Sequence, residues 1–462
     1  QRTANRGSVS TGYDVANGCA FDATRSEKMT KTPTSAGNRK TFTISFWHKR
    51  GGLNTKDYIF EAGNSDADND RFTIRWGTGN TLDIQTSATY LITNRVFRDV
   101  SAWYHIVVKV DTTDGTAANR MKLYVNGVEE TSFATDNRAN INQNFDFSVN
   151  NTKKHIIGNS DVEGSNFLDG NLCEFVILDG TAAAPTEFGE FDEDTGIWIP
   201  IDVSGLTFGT NGCYLDFEDS SNMGNDKSGG LDFTESNINA TDQSQDTCTN
   251  NFATWDYNTG YLQGSATAFT GGNLIRQGGG GDYNACVGTI GINPFSNSNK
   301  WYYEVEVNIG TNGYSAEMMW GLISSTTMLS GSHSAANIAS GDSYNFTRWS
   351  SQSIAGEGAL GAGGIVGILL ECGTTPVLKL YKDDTLKVTR THGSGGITFE
   401  DEFYFPYTAA YSGSLETIAN FGNPIQEFAI ASGNSDPNGY GNFEFTTKGG
   451  YALCTKNLEE FG

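Results

Sequence analysis

For its size this 462-residue sequence is poor in positive charge: 30 Lys and Arg stand against 54 Asp and Glu, a formal net charge of −24. A body that acidic repels phosphate backbones, and its basic residues cluster no more densely than Lys49-Arg50, so no nucleic-acid partner is expected. Long apolar runs are missing as well. The longest is about Ile365–Leu370, interrupted by Gly367, far short of the ~20 residues a helix needs to cross a bilayer, and no membrane insertion is expected. The first residues, Gln1 to Asn5, hold neither Met nor an apolar signal region and read as a processed or trimmed terminus. The seven cysteines (Cys19, Cys173, Cys213, Cys248, Cys286, Cys372, Cys454) form no C-x-x-C pair, which removes zinc ribbons and dithiol redox motifs. Their odd number gives no closed disulfide framework, and most read as small core residues. Proline is scarce, at 8 residues, and long amphipathic helices are absent.

What is present is strand. Thr41–Trp47 and Arg71–Trp76 alternate polar and apolar residues, and Trp103–Val110 is β-branched and aromatic. Gly, Asn and Asp clusters such as Gly51-Gly52 and Gly77–Asn80 bound these runs, the spacing of an antiparallel sandwich. Asn126-Gly127 is a hairpin signal, since both residues tolerate positive φ. One short helix is expected at Pro185–Glu193, with Pro in its first turn. Residues 219–250 are polar and turn-rich and read as a connecting segment. Beyond it Lys300–Val307, Gly364–Leu370, Val377–Lys382, Phe403–Tyr407 and Leu415–Phe421 read as a second set of strands, and Gly278–Gly281 as a flexible loop rather than a phosphate cradle. The fold class is all-β: two antiparallel β-sandwich (jelly-roll) domains in tandem, at 1–204 and 251–462, joined by a polar segment at 205–250.

The motifs Phe42–Trp47, Trp103–Asp111 with Lys122-Leu-Tyr-Val-Asn-Gly127, and Phe167-Leu-Asp-Gly170 with Cys173–Leu178 together resemble the laminin-G-like or concanavalin A-like jelly roll over roughly residues 1–200. Leu178-Asp-Gly180, Pro185–Gly189 and Gly196–Pro200 are similar to the variant found in structural proteins of marine bacteriophages. Trp301–Val307, Trp320–Ile323, Gly364–Leu370, Leu380–Lys382, Phe405–Tyr407 and Ala419–Gly422 resemble a SPRY (B30.2-like) domain. Cys248 stands where the phage pattern has Pro after Asp-Thr. The resemblance implies a virion-surface or extracellular protein (tail fibre, appendage or capsid surface) that attaches to other virion proteins, forms a homo-oligomer, often a trimer, and meets a cell-surface glycan.

Concanavalin-like folds also host glycosidases. A retaining one needs two carboxylates about 5 Å apart, carried in the family signature Glu-x-Asp-x-x-Glu. The nearest approach, Glu190-Phe-Asp192, has Thr195 where the second Glu belongs. Glu304 and Glu306 alternate on one strand face, read here as a solvated structural face. The five histidines (His48, His105, His155, His333, His392) stand singly and no Gly-x-Ser-x-Gly elbow occurs, so no catalytic residue is expected. No organic cofactor is implied, and calcium is the one metal to weigh. Asp66, Asp68 and Asp70 alternate like the first half of an EF-hand loop, yet Arg71 and Gly77 occupy its Gly and Glu positions. That leaves a jelly-roll rim site, with Asn64 and Asp169 as further oxygen donors, against a plain solvated acidic turn. Exposed aromatics beside amides suit sugar C–H faces, and Tyr314, Tyr344, Phe346 and Trp349, placed on loops by the SPRY resemblance, are the candidate ligand contacts. Trp47, Trp103, Trp301 and Trp320 read as core. The function expected is therefore non-enzymatic: a virion structural protein presenting sandwiches for glycan or subunit binding. The alternatives are a cellular carbohydrate-binding or adhesion protein and, behind it, a concanavalin-fold hydrolase.

Overall fold

The computed structural model describes residues 12–64, 70–85, 90–259, 268–277, 283–309, 317–330, 344–350, 364–394, 398–411 and 415–462. The chain is nearly all-β, its sheets antiparallel, and it divides into two compact units at Thr249/Asn250.

In the first unit two eight-stranded sheets face each other. One runs Val128–Glu129, Met121–Val125, Trp103–Asp111, Thr41–Arg50, Gly170–Asp179, Gly18–Phe21 and Gln243–Ser244, with Cys213–Leu215 paired to Gly170–Asp179. The other runs Phe133–Asp136, Tyr90–Thr93, Leu82–Gln85, Phe72–Trp76, Asp57–Ala62, His155–Ile157, Lys28–Lys31 and Thr234–Ser236. Phe42, Ile44 and Phe46 of the first sheet meet Phe60, Phe72, Ile74 and Trp76 of the second in one core. The outer face of the first sheet is covered too, where Val107, Val176 and Leu178 pack under Ala183, Phe188 and Val203. Burial on both faces is why Trp103–Val110 reads as a continuous apolar run rather than an alternating one.

The 205–250 segment, expected to connect domains, supplies three strands to these sheets: Cys213–Leu215, Thr234–Ser236 and Gln243–Ser244. Thr234–Ser236 and Gln243–Ser244 are too polar to announce that role; Cys213, Leu215, Phe217, Met223 and Phe233 join the core, and the buried Lys49–Asp246 ion pair (2.7 Å) adds to the hold. The helix expected at Pro185–Glu193 is a single 3-10 turn, Pro185–Glu187, after which Gly189–Phe191 pairs as a strand with Trp198–Pro200. At Asn126-Gly127 the hairpin forms, with φ of 49° and 75°.

The second unit sets a seven-stranded sheet (Ala268–Thr270, Ile275–Gln277, Leu415–Asn420, Lys300–Ile309, Gly364–Glu371, Val377–Lys382, Thr385–Thr391) against a four-stranded one (Tyr283–Val287, Tyr404–Tyr411, Glu317–Ser324, Tyr344–Ser350). Trp301, Tyr303, Val305, Ile368 and Leu370 meet Trp320, Leu322 and Tyr404 across its core. The C-terminal helix Thr455–Phe461 closes the unit, its Phe461 ring stacked on Tyr451 at 4.1 Å. Among the described residues no helix is long and apolar enough to cross a membrane. All seven cysteines are free thiols, six of them buried.

Candidate functional site

The acidic groups singled out by sequence are held by neighbours. Asp70 accepts from Arg39 Nη2 (2.5 Å) and Lys153 Nζ (2.7 Å); Asp66 and Asp68 lie outside the described residues. Asp192 accepts from both the N–H and the hydroxyl of Thr195 (2.8 and 2.6 Å), which draws its carboxyl below the usual range. Thr195, standing where a hydrolase signature has Glu, thus binds the acid beside it.

Glu304 does not sit on a solvated face. It is wholly buried, because the chain at 442–445 lies over that side of the strand. Its Oε1 accepts from Tyr302 Oη (3.1 Å) and Phe445 N–H (2.9 Å), and its Oε2 from Asn420 Nδ2 (3.2 Å) and Glu444 N–H (3.0 Å). Burial pushes the carboxyl up to about 7 against the pull of these donors. Two donors per oxygen leave little lone-pair capacity for a substrate. Glu306 is half-buried and also raised, by burial and then by Glu416.

Ser45 and His105 come within nucleophile–base distance, Oγ to Nε2 2.9 Å. Trp198 Nε1, however, donates to His105 Nδ1 (2.9 Å), so the proton of the neutral ring belongs on Nε2 and the ring cannot take one from Ser45. Burial holds His105 down to about 3, between the rings of Trp47 and Trp198. His48 and His155 are buried likewise and lie low, at about 3 and about 4.

Of the aromatic candidates, Tyr314 lies outside the described residues. Tyr344, Phe346 and Trp349 belong to the strand Tyr344–Ser350 rather than to a loop, in register with Ile323, Gly321 and Met318 at one edge of the four-stranded sheet. Alternating Tyr, Phe and Trp with polar residues is itself a strand pattern, which the loop assignment overrode. Trp47, Trp103, Trp301 and Trp320 are buried, as read.

One concave feature of the first sandwich was not foreseen: a cavity of about 240 Å³ at the end of the Lys28–Lys31 strand, lined among others by Lys31, Thr34, Ser35, Thr210, Asn211 and Leu231. Met29 and Lys31 share the strand's inward face. Met29 joins the core, while Lys31, 5% exposed, holds its Nζ 4.7 Å from the centre of the Phe233 ring and 3.4 Å from the Asn211 carbonyl. Asn211 fixes the wall by donating to the carbonyls of Ser35 (2.9 Å) and Asn150 (3.0 Å), and Asp179 accepts its N–H (2.9 Å). Gly212 is obligatory there, since a Cβ would lie 2.0 Å from the Phe208 carbonyl oxygen. Thr34, Ser35 and Thr210 are exposed residues, and half of Leu231 is exposed. No group of three or more metal-ligating side chains occurs among the described residues.

No curated protein sequence matches this chain. Among solved structures, it is similar to mouse laminin alpha1 chain domains LG4-5 (10% identity, 87% of this chain and 88% of that one, TM-score 0.29). It is also similar to a putative carbohydrate binding protein from Bacteroides ovatus (14%, 48% and 58%, TM-score 0.34), of which it covers less than two thirds, and to a human SPRY domain (12%, 34% and 96%, TM-score 0.23). At such scores these likenesses bear on neither ligand nor activity. Within the first sandwich, residues 24–186 match the family model of the concanavalin A-like lectin/glucanases superfamily.

Proposed function

We propose that this protein is a non-enzymatic recognition protein whose sandwiches bind carbohydrate outside cells, displayed on a virion surface as a tail-fibre, appendage or capsid-surface component. The observation that carries the binding reading is the match of residues 24–186 to the concanavalin A-like lectin/glucanases superfamily. The non-catalytic half is supported by the state of the suspect acids: Glu304 is enclosed by four donors and Asp192 is bonded to Thr195. The virion setting rests on the phage-like motifs at Leu178–Pro200. Edge strands such as Val128–Glu129, with Val128 exposed, offer pairing surfaces for a closed homo-oligomer. Calcium at the 66–70 rim belongs to the same proposal and would compete with Arg39 and Lys153 for Asp70.

A glycan array read with and without a calcium chelator tests this. Binding without turnover is expected; release of reducing ends, lost in Glu304→Gln, favours the hydrolase. Locating the chain by electron microscopy on a particle, or on a cell surface, decides the setting.

A further inference from the structure

The buried cations of the first sandwich are matched to oxygen. Lys49 meets Asp246 at 2.7 Å and Arg71 meets Glu61 at 2.5 Å. Arg120, without a carboxylate, donates to the carbonyls of Asp114, Ile141 and Gly115 at 2.9, 2.6 and 3.1 Å. Lys31 departs from that rule. Its ammonium has three donors, yet among the described residues it meets one carbonyl at 3.4 Å, the Cys213 thiol and the face of Phe233, with no carboxylate in salt-bridge range. Asp179, at the end of the strand Gly170–Asp179, is occupied by the N–H groups of Asn38 (2.6 Å) and Asn211 (2.9 Å). An ammonium drawn from water with so little compensation is costly unless something else meets it, and this one lines the cavity described above.

Resting on the glycan-binding reading and deepening it, we infer that the Lys31 cavity recognises the anionic group, carboxylate or sulfate ester, of an acidic sugar. Lys31 meets the oxyanion in a charge-assisted contact. The hydroxyls of Thr34, Ser35 and Thr210 meet ring hydroxyls, and the exposed side of Leu231 takes a C–H face. At about 240 Å³ the cavity is smaller than the roughly 300–1,000 Å³ of drug-sized sites, the scale of one sugar ring rather than of a chain. The surrounding charge of −24 repels acidic ligands at long range. Added salt therefore relieves repulsion while screening the buried contact little, the reverse of an exposed lysine patch.

The experiment titrates the full chain, its Lys31→Met variant and its Leu231→Glu variant with a uronic-acid oligosaccharide, the neutral oligosaccharide of the same linkage, and inorganic sulfate. Met keeps the length of Lys against Phe233, so Lys31→Met retains or raises the unfolding temperature, and Leu231→Glu alters an exposed position. The expected result is at least a tenfold preference for the acidic over the neutral oligosaccharide, abolished in both variants and not weakened by added salt. A preference that survives Lys31→Met overturns the inference while the glycan reading stands, as does binding of the neutral sugar alone. If neither sugar binds, the glycan reading falls and sulfate decides the cavity. A sulfate-dependent rise in unfolding temperature that Lys31→Met removes upholds the anion site; an equal rise in both, or none, overturns it.

Discussion

The two sandwiches illustrate two ways of holding a buried carboxylate, although neutral donors also serve in the first, at Asp179 and Glu174. In the first, Asp246 sits against Lys49 and also accepts from Trp103 Nε1 (3.3 Å) and Asn171 Nδ2 (3.1 Å), while Glu61 sits against Arg71. In the second, Glu304 is met by four uncharged donors, and Asp436 by Asn457 Nδ2 (2.6 Å) and the N–H groups of Ala452, Asn438 and Tyr440 (each 2.9 Å). A shared architecture thus does not dictate how its buried charge is compensated, and the two solutions fail differently. An ion pair that loses one member strands the other charge; a carboxylate held by neutral groups responds to pH and loses hydrogen bonds one at a time.

The largest expected effect is that of Asp246→Ala, which takes away the carboxylate that the 2% exposed Lys49 ammonium meets at 2.7 Å and costs the first sandwich about 3–5 kcal/mol. Calorimetry resolving two transitions checks it: the first sandwich's transition falls and the second's stays. A loss under about 1 kcal/mol would mean that Lys49 reaches water and that the 205–250 segment is only loosely attached.

Acid separates the two units next. His48, His105 and His155 titrate in the fold at about 3, 3 and 4, against 6.5 unfolded, so below pH 6.5 the unfolded chain binds protons that the fold refuses, and stability falls with pH. Burial first, and neighbouring carboxylates after it, raise Glu27 and Glu174 to about 8, and burial raises Asp57 to about 6. There the native state holds protons the unfolded chain lacks, and the two sets oppose each other down to about pH 4.5. Below that the histidines lower stability at up to about 1.4 kcal/mol per pH unit for each, joined by carboxyls held below their usual range, Asp136, Glu163 and Asp192 among them. The second sandwich behaves oppositely over its own window: with Glu304 at about 7 in the fold and 4.5 unfolded, stability is lost as pH rises from 4.5 to 7. Acidifying from pH 7 to 5 is therefore expected to raise the second transition and leave the first nearly level. Parallel movement of both breaks the comparison.

Glu304→Gln comes third. The amide presents N–H groups to donors that met an oxygen, a loss of about 1–3 kcal/mol confined to the second sandwich. The variant should also flatten that unit's response between pH 4.5 and 7. Loss of stability with the pH response intact would place the proton elsewhere.

The long central strands were legible because they alternate or run apolar over many residues, as Thr41–Trp47 and Trp103–Val110 do. Compensation of charge was not. Lys49-Arg50 is buried, and its partners Asp246 and Asp57 lie 197 and 7 residues away, where no local pattern announces them. Thr234–Ser236 and Gln243–Ser244 are too short and polar for a period to register. Lys31 escaped for a related reason. Four residues, Lys28-Met-Thr-Lys31, show which positions share a face, but which face turns inward is set by Phe233 and Asn211, some 200 residues on.

At the rim of the first sandwich the pairing that matters in its interior should matter least. Asp70 lies between Arg39 and Lys153 with all three side chains partly in water, 18–24% exposed, and such pairs contribute about 0–1 kcal/mol. Arg39→Gln also gives up bonds to the Phe147 and Asp146 carbonyls, yet should lower the first transition by no more than about 1–2 kcal/mol, well below Asp246→Ala. The same change removes a competing cation from Asp70. If the acidic turn takes up calcium, Arg39→Gln should bind it several-fold more tightly than the unaltered chain, as read by the rise in the first unfolding transition on adding calcium. Equal calcium responses in the two proteins would detach Asp70 from any ion site and leave it a surface ion pair. A stability loss matching that of Asp246→Ala would erase the distinction between interior and rim.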